Sequence, residues 1–211
     1  MIVPLLLASV TVAAGCGGDD GKKGKSGASK CEQVARPAPR DVSKRKPPTL
    51  RLSPSRSYEA RVETSCGTFT IALAKQSPRT GGSFVTLARE GFYDGLTFHR
   101  VAPGFVIQGG DPRGDGTGGA GYTVHERVPS DTVYSEGDVA MGKTATEPDG
   151  TSSSQFFVVT SDGADLAPDS AVLGTVTSGL GVVHAIEHVP TAANERPVDP
   201  VVIKRITIAT K

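Results

Sequence analysis

The stretch FHRVAPGFVIQGGDP, residues 98–112, is the most informative part of this 211-residue chain. It overlaps two short runs that are typical of β-strands, TFHRV at residues 97–101 and FVIQG at residues 105–109. Within these mostly apolar runs stand two side chains rich in hydrogen-bonding groups, Arg100 and Gln108. The stretch therefore predicts two strands that carry candidate functional residues.

The sequence on either side predicts more strands and two helices. YEARVETS and FTIALA are alternating runs separated by Cys66-Gly67, which predicts a β-hairpin. In SPRTGGSFVTLAREG, Ser77 can cap a helix, Pro78 suits its first turn and Gly91 ends it. GLGVVHAIEHV, before Pro190, predicts a second helix, and DVAMG, QFFVV, VLGTV and VVIKRITIA predict further strands. This order favours a mainly β fold, a β-barrel capped by two α-helices.

Composition and charge divide the chain into a basic segment and an acidic domain. Residues 17–56 hold eleven Lys or Arg and four Asp or Glu, whereas residues 57–211 hold twelve and eighteen. The acidic domain argues against nucleic acid as a partner. Because residues 17–56 have few apolar side chains, they predict a disordered tether. The tether is either simply solvated or weakly attracted to anionic lipid headgroups.

The first sixteen residues, MIVPLLLASVTVAAGC, are apolar and uncharged. They are too short to span a membrane, which takes about 20 apolar residues, and they predict a secretory signal. Their last four residues resemble a bacterial lipobox, which implies that Cys16 is lipidated and anchors an extracytoplasmic protein to the membrane. A plain cleaved signal is the alternative.

Two further cysteines, Cys31 and Cys66, remain if Cys16 carries lipid. Outside the cytoplasm an even number of cysteines favours a disulfide, here between the end of the tether and the first hairpin. Two free thiols are the alternative.

Several motifs point to chemistry that their context argues against. GDVAMGKT, residues 137–144, fits the phosphate loop pattern G-x-x-x-x-G-K-T, and GDGTGG, residues 114–119, fits G-x-G-x-x-G. Both patterns require a helix directly afterwards, and Pro148 and Gly150 argue against one after the first motif. We therefore expect no nucleotide. The spacing of His125, His184 and His188 is not typical of a metal site, so we expect no metal and no cofactor.

The opening stretch, together with SSSQFF at residues 152–157 and VLGTV at residues 172–176, resembles the cyclophilin family of peptidyl-prolyl cis-trans isomerases. The resemblance covers about residues 57–211. It implies an eight-stranded antiparallel β-barrel with a helix at each end, which binds proline-containing polypeptides. We expect this domain to be a monomer.

The resemblance also implies a set of site residues. Arg100 matches a catalytic arginine, Phe105 and Phe157 match the aromatic floor of a proline pocket, and Gln108 matches a glutamine that binds the substrate backbone and positions the arginine. The expected pocket wall and edge comprise Val106, Gln155 and Leu166. Since the isomerisation needs no proton transfer, we expect His99 to be structural or orienting.

The sequence departs from the family pattern at the rim of this expected site. Gly142 and Lys143 stand where the family has Ala-Asn, whose backbone binds substrate, and Lys143 adds a charge there. Asp165 stands where several relatives have Trp, and Ser170 where they have His or Tyr. Two functions remain open: an isomerase that acts on exported or cell-surface proteins, and a proline-peptide-binding chaperone or adaptor with weak or no turnover.

Overall fold

The computed structural model describes residues 31–211. The predicted signal segment 1–16 with Cys16, and residues 17–30 of the predicted tether, lie outside the described residues. The elements in chain order are β1 (Tyr58–Thr64), β2 (Gly67–Leu73), α1 (Pro78–Arg89), β3 (Thr97–Ala102), β4 (Val106–Asp111), β5 (Val124–His125), β6 (Asp138–Met141), β7 (Thr151–Ser152), β8 (Phe156–Val159), β9 (Val172–Ser178), α2 (Leu180–Glu187) and β10 (Val201–Thr210).

Eight strands close into a barrel in the order β1-β10-β3-β4-β8-β6-β9-β2. Their pairs are antiparallel, and β5 and β7 form a separate two-stranded sheet. α1 contacts β10 and β5, whereas α2 contacts β2, β3 and β4. The predicted eight-stranded antiparallel barrel with two helices is therefore confirmed.

Strand β8 contributes to two apolar clusters, one on each face of the barrel wall. Successive side chains of a strand point to opposite faces of the sheet. Phe156 and Val158 therefore enter the barrel core, and Phe157 and Val159 belong to a smaller cluster on the other face. All four are buried, which accounts for the continuous apolar run FFVV.

Helix α1 begins at Pro78, as predicted, but its N-terminus is satisfied in another way. Ser77 occupies the N-cap position without a side-chain capping bond. Instead, Glu126 Oε2 accepts hydrogen bonds from the backbone N–H groups of Arg79 (2.8 Å) and Thr80 (3.4 Å). A carboxylate also suits the positive end of the helix dipole, so a long-range contact replaces the predicted local cap.

The prediction of a disordered tether is wrong for residues 31–56, which lie against the barrel without regular secondary structure. We call this segment the N-terminal arm. Leu52 is buried, and its N–H donates to the carbonyl oxygen of Pro78 at 3.0 Å. The N–H groups of Arg40 and Arg45 donate to the carbonyl oxygens of Pro112 (2.8 Å) and Gly121 (3.1 Å). These backbone bonds to the barrel loops offset the shortage of apolar residues in the arm.

A disulfide joins Cys31 to Cys66, the pair that the sequence predicted. It attaches the start of the arm to the turn between β1 and β2, where the Glu32 N–H also donates to the carbonyl oxygen of Ser65 at 2.7 Å. Within residues 31–211, neither helix has the length and apolar character needed to cross a membrane.

Candidate functional site

Strands β3 and β4 place Arg100 and Gln108 side by side. Phe98 pairs with Gly109 and Arg100 with Gln108, so His99 is an extra residue on β3 at this point. Such a β-bulge changes the direction of the side chains that follow it. As a result, Arg100 and Gln108 line the same cavity.

The turn between β3 and β4 holds Phe105, and it is supported from α2. Gly104 has a φ of 73°, a conformation that glycine adopts at little cost. Its N–H donates to Oε1 of the buried Glu187 at 2.7 Å. Burial opposes ionisation of Glu187, but the hydrogen bonds from Gly104 and His184 prevail and hold the pKa of this carboxyl below its usual value. The carboxylate thus fixes the turn that presents Phe105.

These elements surround a cavity of about 300 Å³. It lies over the second apolar cluster, which includes Phe105, Val106, Phe157 and Leu166. Eight of the nine residues predicted to be catalytic or substrate-binding line it, namely Arg100, Phe105, Val106, Gln108, Gly142, Lys143, Phe157 and Leu166. The fold therefore brings together residues that are up to 66 positions apart in the sequence.

The ninth residue, Gln155, lies beside this cavity. It lines a neighbouring cavity of about 480 Å³ that shares Gln108, Gly142 and Lys143 with the first. Gln108 Nε2 donates to Gln155 Oε1 at 2.9 Å, and Gln155 Nε2 donates to the carbonyl oxygens of Gly116 (2.9 Å) and Gly118 (2.8 Å). Gln155 thus connects Gln108 to the loop after β4.

Arg100 is held by a residue that the sequence analysis missed. Its Nε donates to Oε2 of Glu195 at 2.6 Å, and its guanidinium carbon lies 5.6 Å from the centre of the Phe105 ring. The bonded partner of Arg100 is thus Glu195, whereas Gln108, which was expected to position the arginine, donates its amide to Gln155. No sequence signal in the pattern of residues 190–200 pointed to this role.

Lys143 contradicts the expectation of an additional charge at the rim. Its side chain is only 8% exposed, and Nζ lies 2.9 Å from Asp169 Oδ2. The same Nζ donates to the carbonyl oxygens of Thr144 (3.4 Å) and Glu147 (3.3 Å). The ammonium is therefore neutralised inside the loop that follows β6.

The GDVAMGKT motif takes a form that differs from a phosphate loop. Asp138–Met141 is strand β6, and the residues after it form turns that lead to β7. A phosphate loop needs a helix N-terminus at this point. The segment instead contributes Gly142 and Lys143 to the cavity.

The two departures expected at the pocket wall differ in position. Asp165 is exposed and is not among the residues that line the cavity, whereas Ser170 is buried and lines it. Tyr134, which the sequence analysis missed, lies behind this wall. Its hydroxyl donates to the carbonyl oxygen of Ser170 at 2.6 Å, and its ring centre lies 6.4 Å from that of Phe157. An aromatic ring from a distant loop therefore supports the pocket.

His99 is buried next to Arg100. Burial lowers its pKa, and the nearby carboxylates of Asp111 and Asp115 oppose this shift. The ring is therefore neutral at pH 7, which suits the structural role expected for it. In the described part of the chain, no three His, Cys, Asp or Glu side chains are grouped so that they can hold a metal ion.

The chain thus combines a closed eight-stranded antiparallel barrel with a cavity, lined by an arginine and apolar side chains, on the face opposite the core, and this combination is similar to that of cyclophilin-like proteins. The family model for "Cyclophilin type peptidyl-prolyl cis-trans isomerase/CLD" matches residues 60–208. The chain therefore belongs to the cyclophilin-type peptidyl-prolyl cis-trans isomerase family.

Curated relatives agree with this assignment. The chain is 37% identical over 153 residues to the peptidyl-prolyl cis-trans isomerase ppi1 of Schizosaccharomyces pombe, covering 70% of this chain and 97% of that protein. It is 37% identical over 179 residues to peptidyl-prolyl cis-trans isomerase A of Mycobacterium tuberculosis, covering 74% and 95%. With peptidyl-prolyl cis-trans isomerase B of Bacillus subtilis the identity is 48% over 105 residues, covering 49% and 71%.

Solved structures show the same fold. A cyclophilin type peptidyl-prolyl cis-trans isomerase of Cryptosporidium parvum superposes with a TM-score of 0.67 at 30% identity, over 72% of this chain and 98% of that one. The structure of that protein in the presence of the dipeptide Ala-Pro gives a TM-score of 0.66 at 29% identity, with the same coverage.

Proposed function

We propose that this protein accelerates the cis-trans isomerisation of X-Pro bonds in exported or cell-surface proteins, with Arg100 as the central catalytic residue. Rotation about a peptide bond has a barrier of about 18–20 kcal/mol because the amide is stabilised by resonance. No covalent bond is made or broken. A catalyst therefore has to favour the twisted amide, in which the prolyl nitrogen regains a lone pair.

The observation that carries the proposal is the position of Arg100 at one side of the apolar cavity. Phe105, Val106, Phe157 and Leu166 offer apolar surface for the proline ring. A guanidinium next to that surface can donate a hydrogen bond to the prolyl nitrogen as its lone pair develops. A donor that is already in place costs little reorganisation, so it stabilises the twisted state more than the planar one.

Further polar groups around the cavity suit a peptide backbone. Gln108 and Gln155 form a hydrogen-bonded pair at the boundary between the two cavities. Gly142 lines both cavities and has no side chain that would keep a peptide away. We propose that these residues hold the peptide bonds beside the proline, so that rotation is confined to the X-Pro bond.

A protease-coupled assay with a Xaa-Pro peptide tests the activity. We expect catalysis above the uncatalysed rate, and Arg100→Ala should lower kcat/KM by about 100-fold or more, because removal of one preorganised donor typically costs this much. Arg61→Ala is the matched control, since Arg61 is exposed, pairs with Glu63 on β1 and does not line the cavity. Equal rates in the wild type and Arg100→Ala, with both folded, would contradict the proposal.

A proline-peptide-binding chaperone or adaptor is the second candidate. It is favoured by the polar Ser170 in the cavity wall, which offers less apolar contact to a proline ring than an aromatic residue would. This candidate predicts peptide binding, measured by calorimetry, without a rate above background. The same assay therefore separates the two functions.

The extracytoplasmic part of the proposal rests on the N-terminal sequence and on the disulfide. Disulfides persist mainly outside the cytoplasm, and Cys31–Cys66 is formed here. X-Pro isomerisation takes tens of seconds without a catalyst, so it limits the folding of exported chains.

We expect expression of the full chain in a bacterium to yield a membrane-bound protein whose first residue is a lipidated Cys16. Cys16→Ser should release it, and mass spectrometry that finds an unmodified Cys16 in the wild type would exclude the lipid anchor.

A further inference from the structure

Glu195 has an unusual backbone conformation for its residue type. Its φ is 62°, and among residues 31–211 it is the only residue other than glycine with a positive φ. The left-handed region is unfavourable for residues with a Cβ atom, and glycine avoids this cost. Strain of this kind persists where the surrounding structure enforces it, and it is concentrated at functional sites.

The surrounding loop fixes Glu195 by its backbone alone. The Glu195 N–H donates to the carbonyl oxygen of Ala192 at 2.9 Å, and the Glu195 carbonyl oxygen accepts the N–H of Val101 at 2.7 Å. Thr191 and Pro197 form a bridge that closes the loop. The N-terminal arm adds Arg36, whose Nη2 donates to the carbonyl oxygen of Pro197 at 2.9 Å. None of these bonds needs the Glu195 side chain, so the loop does not depend on the carboxylate.

The carboxylate instead contacts the central residue of the cavity. Glu195 Oε2 accepts from Arg100 Nε at 2.6 Å. Of the three guanidinium nitrogens, Nε is the one that links the group to the rest of the side chain. Its use by Glu195 leaves the two terminal nitrogens, which carry the other four N–H donors, for the cavity. The Phe105 ring, 5.6 Å from the guanidinium carbon, limits rotation on another side.

We propose that Glu195 is a positioning residue that fixes the guanidinium of Arg100 so that its terminal nitrogens point at the prolyl nitrogen. The proposal rests on the isomerase function proposed above. An arginine side chain has considerable rotamer freedom, and catalysis by a preorganised donor depends on removing that freedom before the substrate arrives. The carboxylate removes it with a charge-assisted hydrogen bond, and this accounts for a strained residue where glycine would fit better.

The central test is Glu195→Gly, which removes the carboxylate and suits the positive φ. We expect kcat to fall about five- to tenfold, a modest factor because Arg100 and Glu195 are 35% and 46% exposed, while KM changes less than about twofold. The melting temperature should equal or exceed that of the wild type. Glu195→Gln keeps an acceptor oxygen without the charge and should lose about two- to threefold in kcat. Glu59→Gln is the matched control, since Glu59 is also paired with a cation, Lys211, but lies on β1.

The test also separates this proposal from the isomerase function on which it rests. A wild type without activity refutes the function itself. An active wild type that loses activity in Arg100→Ala but not in Glu195→Gly overturns only the positioning role. A higher kcat in Glu195→Gly than in the wild type also overturns the positioning role, as does a lower melting temperature together with a changed KM. In the Arg100→Ala background, Glu195→Gly should have no further effect on kcat, because its only route to the substrate is through Arg100.

Discussion

Two cations, Arg100 and Lys143, line the same cavity, and their surroundings differ. The Arg100 side chain is 35% exposed and gives one of its nitrogens to Glu195. The Lys143 side chain is 8% exposed and gives its single nitrogen to Asp169 and to two backbone carbonyls. The terminal nitrogens of Arg100 thus remain available to a ligand, whereas the Lys143 ammonium is bonded within the protein.

The difference follows from the chemistry of the two groups. A guanidinium is planar and has five N–H donors, so one bond fixes it and four donors remain. An ammonium is a compact charge with three donors, and those of Lys143 meet three acceptors, on Thr144, Glu147 and Asp169. Position in the cavity is therefore a poor guide to function here unless the partner of each cation is known.

Arg100→Lys should reduce activity most, because it keeps the charge and removes the planar donor group. We expect kcat/KM to fall about 100-fold, or ~3 kcal/mol, since an ammonium cannot bind Glu195 through an inner nitrogen and still present two outer ones. The measurement is the protease-coupled rate with a Xaa-Pro peptide, and Arg61→Lys on β1 is the control. Near-wild-type activity in Arg100→Lys would mean that charge alone suffices.

The sequence predicted the barrel, both helices and the membership of the cavity, because these depend on local patterns and on one specific stretch. Alternation and capping signals placed the elements, and FHRVAPGFVIQGGDP with SSSQFF placed Arg100, Phe105, Gln108 and Phe157. The partners of the two cations were not predictable in this way. Glu195 is 95 positions from Arg100, and its φ of 62° leaves no signal in a Glu-Arg-Pro sequence.

The N-terminal arm was missed for a related physical reason. Composition alone indicated that residues 31–56 bury too little apolar surface to be ordered. The arm is held instead by contacts that are specific to the fold: a disulfide, the single buried leucine Leu52, and backbone bonds to loops of the barrel. The cysteine count predicted the disulfide, but the other contacts depend on the tertiary structure, which composition does not report.

Lys143→Met tests the second cation, because it keeps an apolar side chain and removes the buried charge. Asp169 then loses its partner, but it is 35% exposed and partly solvated, so we expect a loss of about 1–2 kcal/mol in the free energy of unfolding. The melting temperature should fall by roughly 2–8 °C. In contrast, kcat/KM should change less than about twofold for peptides with Glu or Lys before proline.

Asp169→Asn provides the matching half of a double-mutant cycle. The two substitutions should be less than additive by about 1 kcal/mol, since each removes the same ion pair. A large change in charge preference for Lys143→Met would show that the ammonium faces the substrate after all.

The smallest expected effect concerns His99, the bulge residue that precedes Arg100 on β3. Its folded-state pKa is lowered by burial, so the unfolded state binds more protons as the pH falls below the unfolded value of about 6.5. Stability from His99 is therefore complete above that pH and is lost as the pH falls towards its folded pKa, at no more than about 1.4 kcal/mol per pH unit. The lowered pKa of Glu187 affects protein stability only at pH values below its ordinary pKa of 4.5, so it does not contribute to the pH effect expected for His99.

Urea unfolding at pH 7.5 and 5.5 measures this effect. His99→Gln should show a smaller loss of stability between the two values than the wild type, whereas the exposed His125→Gln should behave like the wild type. Because the isomerisation needs no proton transfer, kcat should be the same at both pH values as long as the protein is folded. A kcat that falls together with the free energy of unfolding would mean that protonation of His99 affects Arg100 through the bulge. The position of Arg100 would then depend on a titrating neighbour as well as on Glu195.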